Sequence, residues 1–261
     1  MTDRKTPCVT FVGAGPGDPD LITVKGKKFL ETADMIIYAG SLVPEALLQW
    51  AKKTCECHNS ASMTLEEIVT LMERGVRRNG GVVRLHTGDP SLYGAIHEQM
   101  AALDERGISY QVVPGVTAAF AAAAAMKIEY TLPEETQTLI LTRIKGRTPV
   151  PETESLRSLA SHKASMAIYL SISHVKEVSE ILSEAYGPDA VCAVAFRVSQ
   201  PGEKIFYTPV KALEEAVKKE GVSRQALIIV GKPIDIRNNA KAFLHQSKLY
   251  DPDFSHGFRE A

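Results

Sequence analysis

The sequence predicts an α/β protein built as two domains. Three observations carry the prediction. Short apolar runs alternate with amphipathic stretches along the chain. Glycine- and proline-rich loops follow three of those runs. The alternation then restarts after a polar, proline-bearing stretch near the middle.

In the first half, Val9 to Val12 is an apolar run ended by Gly13 and reads as a buried strand. Asp20 to Thr32, with Leu21, Val24 and Leu30, reads as a helix, and Met35 to Tyr38 as a second strand. Thr64 opens a helix whose Leu65, Ile68, Val69, Met72 and Val76 line one face. Thr64 and Glu67 have the spacing of a capping box, in which each side chain accepts from the other's backbone N–H. Val82 to Leu85 is a strand, Leu92 to Glu105 a helix stopped at Gly107, and Tyr110 to Val113 a strand cut by Pro114 and Gly115. Thr117 opens an alanine-rich helix whose small side chains suit close packing.

Lys127 to Gln137, with Pro133, Glu134 and Glu135, reads as a linker. Beyond it Thr138 to Thr142 and Ser165 to Leu170 are strands, separated by a polar loop over Gly146 to Glu154. Ser173 has the chemistry of a cap for a helix bearing Val175, Val178, Ile181 and Leu182, which Gly187 and Pro188 stop. Val191 to Phe196 and Lys204 to Tyr207 form an antiparallel pair around Gln200, Pro201 and Gly202. Pro209 starts a helix that Gly221 closes, and Ala226 to Val230 is the last strand. The domains are therefore expected at 1–130 and 135–236, with mixed sheets overall. A polar tail, 237–261, is expected to be poorly ordered or docked on a partner.

Composition narrows the function. The chain has 261 residues, 44% hydrophobic and 23% charged, with a formal net charge of −1. Each domain can bury a core, and bulk charge does not favour nucleic acid. The most apolar stretch, Ala118 to Met126, falls far short of the ~20 residues a membrane span needs. No secretory signal is visible, and four cysteines are too few for a disulfide scaffold, so the expected location is the reducing cytoplasm. Cys55-Glu56-Cys57-His58 invites a metal reading, but no second cysteine pair completes a four-ligand site, and no metal is expected.

The chemistry concentrates in the loops. Gly13-Ala14-Gly15-Pro16-Gly17-Asp18, His86-Thr87-Gly88-Asp89-Pro90-Ser91 and Pro114-Gly115-Val116-Thr117 each follow a strand and precede a helix. Ligands of open α/β sheets bind at such strand ends. A dinucleotide fold would need a third glycine where Asp18 stands and an acid after the second strand, which ends in Tyr38-Ala39-Gly40. A phosphate loop of the Gly-x-x-x-x-Gly-Lys type is absent.

The ordered set of loops resembles the tetrapyrrole methyltransferases, which use S-adenosylmethionine in cobalamin and sirohaem synthesis. Val12-Gly13-Ala14-Gly15-Pro16-Gly17-Asp18 looks like the family's first signature; Gly88-Asp89-Pro90 and Pro114-Gly115-Val116-Thr117-Ala118 look like its second and third. Tyr38-Ala39-Gly40-Ser41-Leu42-Val43-Pro44 and Tyr250-Asp251-Pro252 extend the likeness to nearly the whole chain, towards a branch that methylates a ring carbon of a cobalamin precursor.

The resemblance implies two α/β domains with S-adenosylmethionine in a cleft between them, a tetrapyrrole substrate, S-adenosylhomocysteine as product and a homodimer. By motif match it implies that Pro16, Gly88, Asp89, Leu92, Thr117 and Ala118 line the cofactor pocket, with Leu170 and Ala226 at looser matches in the second domain. Gly15 lies on the tetrapyrrole side by the same match.

Methyl transfer from a sulfonium is an in-line displacement, so alignment is the main task, and a base is needed only for a ring proton. Asp89, His86 and Tyr93 are the titratable groups nearest the second loop, with Asp89 and His86 the candidates for catalysis. A helix cap is the competing role for Asp89. Arg143, Lys145 and Arg147 suit the substrate's carboxylates, solvation being the competing reading, and Arg197 follows a strand of the second domain. Two rivals stand beside a methyltransferase: a nicotinamide oxidoreductase, separated by NAD binding, and a noncatalytic tetrapyrrole carrier, separated by a methyl-transfer assay.

Overall fold

The structure is a computed structural model that describes residues 8–238, 247–255 and 257–260. The chain divides within its alanine-rich helix into two compact units, one running to Ala121 and including Ser199–Pro201, the other holding Ala122–Val198 and the chain from Gly202 onward.

The first unit is built on a parallel sheet of β1 (Val9–Gly13), β2 (Met35–Tyr38), β3 (Glu56–Asn59), β4 (Val82–His86) and β5 (Tyr110–Val113), in the order β3-β2-β4-β1-β5. Every residue of β1, β2 and β4 is buried. Burial on both faces, with crossover helices covering a parallel sheet, explains their largely apolar sequences, which Thr10, Arg84 and His86 interrupt. Val12, Ile36, Val83 and Leu85 pack on one face with Leu30 and Leu47. Phe11, Met35, Ile37 and Val82 pack on the other with Ile68, Val69, Met72 and Leu103.

Around this sheet run α1 (Val24–Thr32), α2 (Leu65–Arg77) and α3 (Ile96–Glu105), and the chain leaves the unit within α4 (Ala118–Met126). The capping box of α2 is present as expected. Two helices begin later than the pattern predicts. Asp18 accepts from Asp20 N and starts a separate 3-10 turn, Pro19–Leu21; Thr23 then caps α1, accepting from Gly26 N at 3.1 Å. The helix expected from Leu92 starts at Ile96, because Tyr93 (φ +57°) and Ala95 (φ +47°) are left-handed and cannot continue a right-handed helix.

The second unit carries a mixed sheet of β6 (Leu139–Arg143), β7 (Ser165–Tyr169), β8 (Val191–Phe196), β9 (Lys204–Pro209) and β10 (Ala226–Val230), ordered β6-β7-β10-β8-β9. Only β6 and β7 pair in parallel; the others are antiparallel, including the expected β8–β9 pair. Its core joins Met166, Ile168, Val194 and Ile228 to Leu156, Val178, Leu182 and Leu213. Those partners lie on α5 (Leu156–Ala160), α6 (Val175–Tyr186) and α7 (Leu213–Lys219).

Ser173 does not cap α6. It sits inside a 3-10 turn, Ile172–His174, and the N-cap position falls on His174 with no side-chain bond. Pro209 ends β9 rather than opening α7, and the turn Val210–Ala212 intervenes. A last helix, α8 (Lys232–Asn238), runs on past the expected end of the domain. Of the expected tail, 239–246, 256 and 261 lie outside the described residues. Among the described residues, no helix is long and apolar enough to cross a membrane.

Candidate active site

Because β4, β1 and β5 are adjacent and parallel, the three loops that follow them share one sheet edge. They are also bonded to each other. Ala14 N donates to His86 O (2.7 Å), Gly15 N to Gly88 O (3.2 Å) and Gly88 N to Gly15 O (2.8 Å). This approach requires glycine at two positions. A Cβ on Gly13 would lie 2.6 Å from Gly115 Cα, and one on Gly115 would lie 2.1 Å from Gly88 O.

Asp89 ties the second loop to the third. One oxygen accepts from Gly115 N at 2.9 Å; the other accepts from Ser91 N at 2.8 Å and from the Ser91 hydroxyl. Burial alone would raise this carboxyl, but the bonds from Ser91 and Gly115 outweigh it and hold its pKa below the usual value. Leu92 N donates to Asp89 O (3.2 Å), which places Leu92 in the turn that Asp89 organises. Thr117 is buried, and its carbonyl accepts from Phe120 and Ala121 as α4 begins; Ala118 is half-buried beside it.

Gly15 and Pro16 are buried in the first loop. Two residues read only as hairpin punctuation or passed over in sequence fix that loop. Gln200 Nε2 donates to Pro16 O (2.9 Å), and Ser199 Oγ accepts from Asp18 N (3.1 Å). Contacts across more than 180 positions leave no local signal, so spacing arguments could not have found them.

His86 is buried against Phe11, ring centroids 5.9 Å apart, and its Nε2 has no hydrogen-bond partner among the described residues. Burial and then the nearby Arg84 charge push its pKa down to about 3. It is therefore neutral at physiological pH.

In the second unit, register brings other expected residues to one sheet edge. Arg143 pairs with Tyr169, the residue before Leu170, and Ala226 pairs with Phe196, the residue before Arg197. Leu170 is 61% exposed and left-handed at φ +52°, a conformation that a branched residue adopts only at a cost. Arg143 donates to the carbonyls of Ile144, Thr148 and Pro149, so its guanidinium organises its own loop. Lys145 and Arg147, in that loop, are exposed. Arg197 keeps a buried Nε that has no hydrogen-bond partner among the described residues. Among the described residues, no three His, Cys, Asp or Glu side chains gather as a metal site.

A parallel sheet with three mutually bonded strand-end loops, one pinned by a carboxylate, defines a protein class when joined to sequence comparison. The chain belongs to the tetrapyrrole (corrin/porphyrin) methylases, whose family profile matches residues 8–214. Within that family it is 51% identical over 254 residues to the cobalt-precorrin-4 C(11)-methyltransferase of Methanocaldococcus jannaschii, covering 97% of this chain and 96% of that one. The X-ray structure of a cobalt precorrin-4 methyltransferase superposes with a TM-score of 0.87 at 46% identity, covering 90% of this chain and 99% of the other. The uroporphyrin-III C-methyltransferase of Thermus thermophilus in complex with S-adenosylhomocysteine matches with a TM-score of 0.73 at 27% identity, covering 88% and 99%.

Proposed function

We propose that this chain is an S-adenosylmethionine-dependent C-methyltransferase that methylates ring carbon 11 of precorrin-4, or of its cobalt form, in cobalamin synthesis. The observation that carries the reading is the 51% identity to a cobalt-precorrin-4 C(11)-methyltransferase across 97% of the chain. The loop edge supports it. A close-packed glycine cradle at the carboxyl ends of parallel strands, with a carboxylate at its rim, suits a ligand that carries both an amino acid and a nucleoside.

S-adenosylmethionine supplies a methyl group on a sulfonium, already electrophilic enough to need no metal. The residues proposed to hold it are Pro16, Gly88, Asp89, Leu92, Thr117 and Ala118; Leu170 and Ala226 are proposed as further contacts. Their task is alignment, which accounts for up to about 7–11 kcal/mol of barrier lowering in favourable cases. The transfer forms a carbon–carbon bond at the ring, leaves a neutral thioether and releases one proton. Asp89 and His86 are the proposed groups for that proton: Asp89 is held ionised by its donors, and His86 is a neutral imidazole whose Nε2 has no partner among the described residues. Gly15, Arg143, Lys145 and Arg147 are proposed on the tetrapyrrole side. Arg143 acts there by shaping its loop, while Lys145 and Arg147 present cations to the substrate's acetates and propionates. We propose a cytoplasmic homodimer, which sedimentation tests.

The decisive experiment follows a carbon-13 methyl label from the donor into the corrin product by NMR, with calorimetric titration of S-adenosylhomocysteine alongside. The label is expected at carbon 11. No binding heat at high protein concentration refutes the cofactor; a label at another carbon refutes the position.

A further inference from the structure

Arg84 is a buried cation that the reaction proposed above does not use. It lies in the interior of β4 and is 5% exposed. Alternation along the strand puts it on the face of Val82, where α2 and α3 pack. Its Nε donates to Gln99 Oε1 at 3.0 Å and a terminal nitrogen donates to Ile37 O at 3.2 Å. No carboxylate pairs with it among the described residues, and burial lowers its pKa only to about 10, so it is charged at neutral pH. A lone charge in a strand interior is costly, and an apolar side chain of similar size would fill the position without that cost. His86, two residues on, stays neutral under the same burial, so the pair carries one charge and not two.

The second partner of Gln99 shows what the charge does. A guanidinium can only donate, so it holds the Gln99 amide with its oxygen towards Arg84 and its nitrogen outward. That nitrogen donates to Ala95 O at 3.0 Å. Ala95 is the left-handed N-cap of α3, two residues after the left-handed Tyr93. Between them Gly94 packs so closely on Pro90 O that a Cβ would lie 2.2 Å from it. The turn is strained, and strain of this kind persists only where the surroundings over-determine it. It carries Leu92 and follows directly on Asp89.

We infer that Arg84 and Gln99 are positioning residues that hold the Ser91–Ala95 turn, and with it Leu92, in the geometry the methyl-donor site needs. The kinetic consequence rests on the proposed function; the structural one does not.

Two variants separate the bonds. Gln99→Met keeps the volume and removes both. Gln99→Glu gives Arg84 a stronger acceptor but leaves nothing to donate to Ala95 O. Peptide-resolved hydrogen exchange over Ser91–Ile96 is expected to be about tenfold faster in both variants, the scale of one lost hydrogen bond. The KM for S-adenosylmethionine is expected to rise about tenfold in both, with kcat within about threefold of wild type. The melting temperature is expected to fall in Gln99→Met and to stay near wild type in Gln99→Glu. A merely structural role would lower the melting temperature and the active fraction while leaving exchange over Ser91–Ile96 and KM unchanged. That result, or wild-type exchange in Gln99→Glu, overturns the inference. A wild-type protein that binds no S-adenosylhomocysteine refutes the proposed function instead, and the exchange data then decide the inference alone.

Discussion

Asp89 shows how a single side chain turns three loops into one unit. Its two oxygens take three donors, one of them from a loop 26 positions away. Asp89→Ala leaves Gly115 N without its partner, and stability should fall by about 1–3 kcal/mol. Affinity for S-adenosylhomocysteine should fall with it. The pH dependence has a definite sign. The folded carboxyl lies below its unfolded value of roughly 3.9, so its contribution is present above that pH and is lost as pH falls through the folded value. Urea titrations from pH 7 down to below the unfolded value test this: the gap between wild type and Asp89→Ala should be full at pH 7 and narrow progressively as pH falls below the unfolded value, and a gap of unchanged size throughout would remove the carboxylate from the account. The sequence marked Asp89 as a cap or ligand acceptor from its loop chemistry. Its bond to Gly115 was not legible, because register between strands β1, β4 and β5 is set by the whole sheet. Gln200 and Ser199 escaped because their partners in the first loop lie more than 180 positions away.

At the scale of elements, legibility follows how local the cause is. Met35–Tyr38, Val191–Phe196 and Ala226–Val230 match their apolar runs residue for residue, because nearly every position in them is buried. Tyr110–Val113 matches too, but as an edge strand with only Val113 buried, marked in the sequence by the Pro114 and Gly115 that cut it. The N-terminus of α2 was equally legible. Thr64 N donates to Glu67 Oε2 at 2.7 Å and Thr64 Oγ1 accepts from Glu67 N at 3.3 Å, all within four residues. The start of α3 was not, since apolar periodicity continues back to Leu92 while Gln99 and the Pro90 turn hold Ala95 out of the helix. Ser173 misled in the opposite way: the residue type suits a cap, but the turn Ile172–His174 places it one position too early. Thr64→Ala should therefore cost about 0.5–2 kcal/mol in chemical denaturation. It should leave the dissociation constant for S-adenosylhomocysteine unchanged, since the Thr64 side chain bonds to Glu67 of its own helix and β3, which precedes it, is separated by β2 from β4, the nearest strand that carries a loop of the site. A weakened affinity would show that the helix end communicates with the site.

For the molecule as a whole, the near-balance of thirty basic and thirty-one acidic residues said little beyond excluding bulk attraction to nucleic acid. The ordered loop signatures said far more, since each alone is a common strand–turn–helix feature and only their sequence along one chain marks the family. The single tryptophan makes the proposed cofactor testable at this scale. Trp50 packs against the first unit's core, with Lys27 Nζ 3.6 Å from its ring centroid, so its fluorescence reports the unfolding of the unit that carries Asp89 and Thr117. A ligand that binds only the folded state stabilises it by RT ln(1 + [L]/Kd), about 2.7 kcal/mol at a hundredfold excess over Kd. For a unit of this size that corresponds to a rise of roughly 5–15 °C in the Trp50 transition. S-adenosylhomocysteine at that excess should produce the rise in wild type and in Thr64→Ala, and at the same concentration a smaller one in Asp89→Ala, whose Kd is higher. Far-UV circular dichroism, which reports both units, should register the same ligand-dependent shift in at least the first unit's share of the signal. A Trp50 transition that ignores the ligand while calorimetry records binding would put the contacts outside this unit and withdraw Pro16, Gly88, Asp89, Leu92, Thr117 and Ala118 from the site together.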